Sequence, residues 1–228
     1  MVHRPLSVSA GYVRTYLVYP VTIYGIADHA LTKARIANPH SIQVPSLIQA
    51  SLDRGRAGMV GVGKNIWHNV YIDESGSLPA RHARLSHKVK TVSELYAVLY
   101  DTIASNPAAA HGREGIYIGE NGQHTLYDVA RAIQKAMVEL GLSTETEPSS
   151  FTREEVQKYF GVGRRFFNAT CTQKFPQSDY LGVNSHCRAD RSRGIGWKPT
   201  KTTRDFLTSV MPEMEALRKR GAGITPLK

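Results

Sequence analysis

The amino-acid sequence predicts an α/β fold, in which short apolar strands alternate with amphipathic helices. Residues 13–19 alternate along their length and are rich in β-branched and aromatic side chains, which is typical of a strand. This strand is apolar on both faces, which favours a sheet that is covered on both sides. Residues 126–140 carry apolar side chains at helical spacing, which predicts a helix with one buried face.

The remaining elements follow from the same two periodicities. In chain order, the sequence predicts a helix at 45–54, a strand at 69–72, a helix at 92–103, a strand at 115–119, and helices at 126–140 and 201–217. Pro20 ends the first strand, and residues 22–25 are expected to form a turn. Thr125 is a good helix N-cap, and Thr152 with Glu155 predicts a capping box at the start of another helix.

The composition is that of an ordinary globular protein. The chain has 228 residues, 41% hydrophobic and 21% charged, enough for one or two domains. No apolar run approaches the ~18 to 20 residues that span a bilayer. Its two cysteines, Cys171 and Cys187, form neither a CxxC motif nor a disulfide framework. We therefore expect a cytoplasmic protein.

A net charge of +10 raises the question of nucleic-acid binding. The basic residues are concentrated at 81–90, 188–204 and 218–220. Aromatic platforms and zinc knuckles, which usually accompany single-strand and RNA recognition, do not occur beside them. We do not expect nucleic acid as a partner. Two interpretations of the basic residues remain: they are solvated surface charges, or they form a pocket for an anionic ligand.

The glycines do not form a nucleotide-binding motif. Gly58, Gly61 and Gly63 lead into Lys64 and a predicted strand, whereas G-x-G-x-x-G must connect a strand to a helix. No Ser or Thr follows Lys64, which excludes a P-loop. The triplet therefore predicts a hairpin-like turn. The sequence has no HxxxH or HExxH motif, so we expect no metal site.

Four segments occur in an order typical of a known family. They are RTYLVYPVTIYG at 14–25, GVGKNIWHNVYIDE at 61–74, the strand and helix at 115–129, and NSHCRADRSRGIGWKP at 184–199. Together they resemble the carboxyl-terminal portion of extended short-chain dehydrogenases/reductases, in particular the NAD-dependent epimerase/dehydratase-like group. The resemblance implies a partial NAD(P)-binding Rossmann-type fold, contributing its carboxyl-terminal strands, and a mixed α/β substrate-binding lobe.

The resemblance also implies how the chain is divided. Residues 1–140 would belong to the Rossmann-like and substrate region, and residues 141–228 to the remainder of the substrate lobe with its last helix. Residues 75–91 interrupt the family pattern with a basic segment of loop composition. They are either translated non-coding sequence or a genuine surface loop, since loops tolerate insertions at small entropic cost.

The activity implied by the resemblance is NAD(P)-dependent oxidation–reduction or epimerisation of a small carbonyl or sugar-like substrate. The sequence lacks both the glycine fingerprint that holds the dinucleotide and the Tyr-x-x-x-Lys pair that transfers the proton. We therefore expect no catalytic residue, and doubtful binding of NAD or NADP by this chain alone. We also expect exposed sheet edges, with a homodimer as one possible assembly. A non-catalytic binding or regulatory module and a truncated gene model are the alternatives.

The resemblance assigns candidate ligand-binding residues. Pro20 and Thr22 would lie beside the nicotinamide. The substrate-binding candidates are Tyr24, Asn65, Trp67, His68, Arg188 and Arg191. The two arginines suit a nucleotide-sugar pyrophosphate, because a planar guanidinium binds phosphate oxygens in pairs. Two interpretations compete with these assignments: the arginines occupy ordinary surface positions, and Trp67 lies in the core.

Overall fold

The computed structural model describes residues 13–28, 30–72, 92–161 and 181–219. The strands are β1 (Leu17–Pro20), β2 (Thr22–Tyr24), β3 (Gly58–Met59), β4 (Ile66–Tyr71), β5 (Ile116–Gly119), β6 (Gln123–Thr125) and β7 (Ser149–Ser150). The helices are α1 (Ala30–Lys33), α2 (Gln43–Arg54), α3 (Val92–Ser105), α4 (Leu126–Glu139), α5 (Arg153–Phe160), α6 (Asp190–Gly194), α7 (Thr203–Thr208) and α8 (Val210–Lys219), with a 3₁₀ turn at Gly112–Glu114. The segment 75–91 and Cys171 lie outside the described residues.

The strands form small sheets in which parallel pairing prevails, so the predicted α/β class is confirmed. β1 pairs with β5 in parallel, β2 pairs with β4 in parallel, and β3 pairs with β7 in parallel. β6 is antiparallel to β4. Parallel partners are far apart in sequence, because the connecting segment must cross over the sheet.

The predicted turn at residues 22–25 is wrong, because this segment contains β2. Pro20 has no N–H and ends the pairing of β1, but the chain stays extended. The Val21 N–H still donates to the Gly119 carbonyl at 3.4 Å, and Thr22 pairs with Asn69 of β4. The β-forming residues of this segment thus find a partner strand that only the tertiary structure supplies.

The glycine triplet forms a turn, but the predicted hairpin is wrong. Gly58 lies in β3, whose partner is β7 and not the following strand β4. The chain then turns through Gly61 and Gly63 at φ values of 56° and 67°, and the Gly63 N–H donates to the Val60 carbonyl at 3.1 Å. The turn therefore connects two different sheets.

The main core lies between α2, α4 and α8. Ile48, Ile133 and Met214, one from each helix, are all fully buried. The predicted caps are confirmed, since Thr125 and Asp128 form a reciprocal capping box at α4, as do Thr152 and Glu155 at α5. A smaller cluster on the other face of β4 consists of Val70, Val92, Leu95, Ala189 and Trp197.

The predicted helix over 201–217 is divided into α7 and α8. The Ser209 hydroxyl donates to the Phe206 carbonyl at 2.7 Å, which offers the backbone a local alternative partner. Pro212 has no N–H and cannot donate to the carbonyl four residues earlier. Both features weaken the helix at Ser209, where the two segments meet.

The outer face of the β1–β5 pair is apolar and exposed. Leu17 is 40% exposed, Tyr19 is 61% exposed and Ile116 is 41% exposed. Among the described helices, none is long and apolar enough to cross a membrane.

The two turn glycines provide a matched test of the junction between sheets. A Cβ atom at Gly63 would lie 2.8 Å from the backbone nitrogen of Tyr127, whereas a Cβ atom at Gly61 would meet nothing within 4 Å. Both residues have positive φ, so each alanine variant loses about 1–2 kcal/mol from backbone strain. We expect Gly63→Ala to lose at least about 1 kcal/mol more than Gly61→Ala, because of the additional clash. Urea unfolding measures the difference, and equal losses would contradict the described turn.

Candidate functional site

Two parallel strand pairs meet where β1 continues into β2. The carboxyl ends of β1 and β5, Pro20 and Gly119, lie side by side. β2 begins two residues further on, at Thr22, and Glu120 directly follows β5. We call this region the junction and define it by Pro20, Thr22, His68, Gly119 and Glu120. Open α/β sheets bind ligands outside the carboxyl ends of parallel strands, which makes the junction a candidate site.

Glu120 is buried and accepts four hydrogen bonds, three at its carboxylate and one at its backbone carbonyl. Its Oε1 accepts from the Ala189 N–H at 3.0 Å and from Arg193 Nη1 at 2.7 Å, and its Oε2 accepts from the Gly122 N–H at 3.3 Å. Arg193 Nη2 also donates to the Glu120 carbonyl at 3.0 Å. Burial acts to raise the pKa of Glu120, but these bonds and the Arg193 charge together hold the pKa below its usual value. Glu120 is therefore ionised at neutral pH.

His68 lies beside this carboxylate on β4. It is 9% exposed, and its Nδ1 is 3.5 Å from Glu120 Oε2 without forming a hydrogen bond to the described residues. The ring of His186 stands edge-on to it, with the two centroids 6.2 Å apart. The junction thus contains an imidazole and a carboxylate side by side.

The opposite face of β4 carries a second polar cluster. Asn69 Nδ2 lies 3.2 Å from His124 Nδ1 and 3.2 Å from Thr203 Oγ1, while Asn69 Oδ1 is buried without a hydrogen bond to the described residues. The His124 ring packs on Phe206 at 4.5 Å between centroids. Burial, which outweighs the opposing charge of Asp128, lowers the pKa of His124 to about 4. His124 is therefore neutral at pH 7.

The two residues that the resemblance places beside a nicotinamide both lie at the junction. Pro20 ends β1 opposite Gly119. Thr22 is buried, and its hydroxyl donates to Gln43 Oε1 at 2.7 Å. Gln43 belongs to α2, so this bond attaches the Thr22 hydroxyl to that helix. Contact of Pro20 or Thr22 with a cofactor remains a prediction.

Three of the substrate candidates have structural partners. The Tyr24 hydroxyl donates to the Thr202 carbonyl at 3.1 Å, and burial together with the Asp205 charge raises its pKa well above the usual value. Asn65 Nδ2 and Trp67 Nε1 each donate at 2.8 Å to a backbone carbonyl within residues 181–183. These bonds attach the 181–183 segment to β4. Contact of these side chains with a ligand remains a prediction.

Of the two candidate arginines, Arg188 is exposed and Arg191 is half-buried, and both are paired with acids. Arg188 Nε lies 3.1 Å from Asp190 Oδ2. Arg191 forms an ion pair with Glu114 and donates from Nη1 to the Ile116 carbonyl at 3.1 Å. Arg188 thus contacts α6 and Arg191 contacts β5 and the 3₁₀ turn before it, and neither forms a described bond to a junction side chain. Their role in binding a pyrophosphate remains a prediction.

The sequence interpretation did not single out Glu120, Asn69 or His124 as site residues. One signal was available for Glu120, since an acidic residue directly after a predicted strand in an α/β protein lies at the ligand-binding edge of the sheet. Asn69 and His124 gave no comparable signal, because their environment arises from strands and helices distant in sequence. Within the described ranges, no group of three or more His, Cys, Asp or Glu residues is arranged to bind a metal ion.

The lowered pKa of His124 makes a pH dependence testable. An unfolded histidine has a pKa near 6.5, whereas folded His124 has a pKa of about 4. Between these pH values the unfolded state binds a proton that the folded state does not bind. The stability contributed by neutral His124 is present above about pH 6.5 and is lost as pH falls toward about 4, by roughly 1–3 kcal/mol. We expect His124→Gln to flatten the change in unfolding free energy between pH 7.5 and pH 5. The exposed His111→Gln is the control, and an unchanged slope in His124→Gln would contradict the assignment.

Cys187 gives a second test of the junction charges. Burial, and then the negative charge of Glu120, raise the pKa of this thiol to about 11. We expect alkylation by iodoacetamide at pH 8 to be about 100-fold slower than for a cysteine in an unstructured peptide, because the thiolate is the reactive form. Glu120→Gln should accelerate the reaction, whereas the exposed Glu114→Gln should not. Peptide-resolved mass spectrometry separates Cys187 from Cys171, and equal rates in the two variants would refute the influence of Glu120.

Comparison with protein families and curated sequences gives one similar protein. No family model matches the chain. The oxidase ucsJ of an Acremonium species is 27% identical over 188 residues, which cover 82% of this chain and 46% of the oxidase. The chain therefore spans about half the length of the curated relative that it matches.

Solved structures similar to the chain are epimerases and dehydratases. UDP-glucose 4-epimerase from Thermotoga maritima, solved with UDP-glucose, is 11% identical with a TM-score of 0.44, and the match covers 91% of this chain and 47% of the epimerase. dTDP-glucose 4,6-dehydratase from Bacillus anthracis, solved in complex with NAD, is 14% identical with a TM-score of 0.44, over 92% and 47% of the two chains.

Proposed function

We propose that the chain forms the substrate side of an NAD(P)-dependent oxidoreductase or epimerase acting on a small carbonyl or sugar-like compound. The similarity to the oxidase ucsJ over 82% of the chain supports this kind of activity. The observation that carries the proposal is the junction. There the carboxyl ends of two parallel strands adjoin a buried carboxylate and the imidazole of His68. Such a meeting point of parallel strands is where α/β enzymes bind their ligands.

The side chains at the junction fit the substrate end of such a site. Pro20 and Gly119 bring the carboxyl ends of β1 and β5 together, and the His68 imidazole beside Glu120 is the group that would bind a substrate hydroxyl. Glu120 Oε2 lies 3.5 Å from Nδ1 of this ring. Pre-positioned polar groups of this kind fix the orientation of a ligand in an otherwise apolar site.

The pyrophosphate of a dinucleotide does not fit the same place. Its binding requires backbone N–H groups at a glycine-rich helix start, and the sequence contains no G-x-G-x-x-G motif. At the end of β5 the chain instead presents the negative charge of Glu120. NAD(P), which supplies hydride chemistry when bound, would be held here only by contacts near Pro20 and Thr22.

A non-catalytic binding module is the second candidate. It is favoured by the lack of a Tyr-x-x-x-Lys pair in the sequence and by the hydrogen bond that already engages the Thr22 hydroxyl. Both candidates require the junction to bind a small molecule, and they differ only in turnover.

One experiment tests both candidates. The full chain is titrated with NAD, NADPH and UDP-glucose while the histidine signals are followed by NMR, and NAD(P)H absorbance is recorded in parallel. We expect at least one of these compounds to shift the His68 signals, and His68→Gln to weaken its binding about tenfold, equivalent to about 1.4 kcal/mol. His111→Gln is the exposed control.

The outcomes separate the candidates. Shifts accompanied by turnover support the enzyme, and shifts without turnover support the binding module. If none of the three compounds shifts the His68 signals at millimolar concentration, the junction is not the binding site and the proposal is wrong.

A further inference from the structure

A second concave site lies at the other end of β2. It is a groove of about 480 Å³ between the carboxyl ends of β2 and β4, at Tyr24 and Tyr71, and the facing sides of α7 and α8. We call it the α7–α8 groove. Its volume lies within the range of roughly 300–1,000 Å³ that is typical of small-molecule sites. It is distinct from the junction, because the junction lies at the amino end of β2.

The groove has a positively charged wall. Lys201 and Arg204 both line it, together with Asp205. Lys201 Nζ lies 3.3 Å from Asp205 Oδ1 and 5.7 Å from the centroid of the Tyr71 ring, so its charge is largely neutralised within the protein. Asp205 also accepts from the Thr202 N–H at 2.9 Å, which with the Lys201 contact holds its pKa below the usual value.

Arg204 is the cation that remains available to a ligand. It is exposed, and its guanidinium has no ion pair with an acid among the described residues. With Lys201 matched by Asp205, the side chains of the groove leave one net positive charge, that of Arg204. A guanidinium binds phosphate or carboxylate oxygens in a planar, two-point geometry.

The remaining lining suits the body of a small organic molecule. Ile26 and Pro212 present apolar surface. Thr208 and Ser209 donate their hydroxyl protons to helix carbonyls at 2.9 and 2.7 Å, which leaves their oxygens as acceptors for a ligand hydroxyl. Tyr24 and Tyr71 lie at the bottom of the groove and are only 2% and 7% exposed, so they offer little ring area on which a ligand could stack. The groove thus favours a hydroxylated compound over a flat aromatic one.

We propose that the α7–α8 groove binds a small hydroxylated organic anion, whose phosphate or carboxylate pairs with Arg204. The hydroxyl groups of this ligand donate to Thr208 and Ser209, and its carbon skeleton packs against Ile26 and Pro212. This site is independent of the junction, since the fully packed residues of β2 and β4 lie between them.

Three compounds with the same carbon skeleton test the proposal. The full chain is titrated at low salt by calorimetry with glucose 6-phosphate, gluconate and glucose, and separately with inorganic phosphate. We expect one or both organic anions to bind and glucose not to bind, and the two anions show whether phosphate or carboxylate is preferred. Binding should weaken as salt is added, because Arg204 is exposed.

Variants of matched charge identify the site. Arg204→Gln should weaken binding about tenfold or more, and Arg204→Lys should retain part of it. Arg218→Gln, which removes an exposed charge from α8 outside the groove, should leave the affinity unchanged. Failure of both organic anions to bind would overturn the proposal. So would equal binding of inorganic phosphate and glucose 6-phosphate, equal binding of glucose, or equal effects of the two glutamine variants.

The result is separable from the test of the junction. Ligands of the α7–α8 groove should leave the His68 signals in place, and Arg204→Gln should leave the response of His68 to its own ligand unchanged. A positive result at one site with a negative result at the other therefore supports one proposal and overturns the other.

Discussion

The ion pair between Glu120 and Arg193 determines the arrangement of the candidate site. A buried carboxylate is tolerated only when it is paired and hydrogen-bonded, and Glu120 meets this condition through Arg193 and the N–H groups of Ala189 and Gly122. Because Arg193 and Ala189 belong to α6 and its N-cap, the same bonds attach α6 to the end of β5. Burial and then the charge of Glu120 raise the pKa of the Cys187 thiol, so that geometry and electrostatics at the junction share an origin.

β2 separates two sites that differ in charge. At its amino end the ionised Glu120 is paired with Arg193, whereas at its carboxyl end Arg204 contributes an unmatched charge. Electrostatic complementarity then predicts different ligands at the two ends, a neutral polar group at the junction and an anion in the α7–α8 groove. The interior of the sheet keeps them apart, because Asn69, Val70 and Tyr24 are almost fully buried between them.

Much of the local structure was predictable from residues close together in sequence. The capping boxes at Thr125 and Thr152 and the strand that ends at Gly119 were predicted from a few neighbouring side chains. β2 was missed because its stability depends on pairing with β4, which lies far away in the chain. The division between α7 and α8 was missed because the helical apolar spacing continues across Ser209 while Pro212 removes a backbone donor.

By itself, the sequence determined the α/β class, the helix caps, the lack of a glycine fingerprint and the family resemblance, since these depend on periodicity and short motifs. Only the tertiary structure decided which of the polar residues meet. Glu120 and Arg193 are far apart along the chain, as are Asn69 and His124. The first pair forms where a helix packs on the end of β5, and the second where β6 pairs antiparallel with β4. The pKa of His124 and the free guanidinium of Arg204 likewise depend on burial and on neighbours from distant segments. Local patterns carry no information about such contacts, because desolvation and charge act through space and not along the chain.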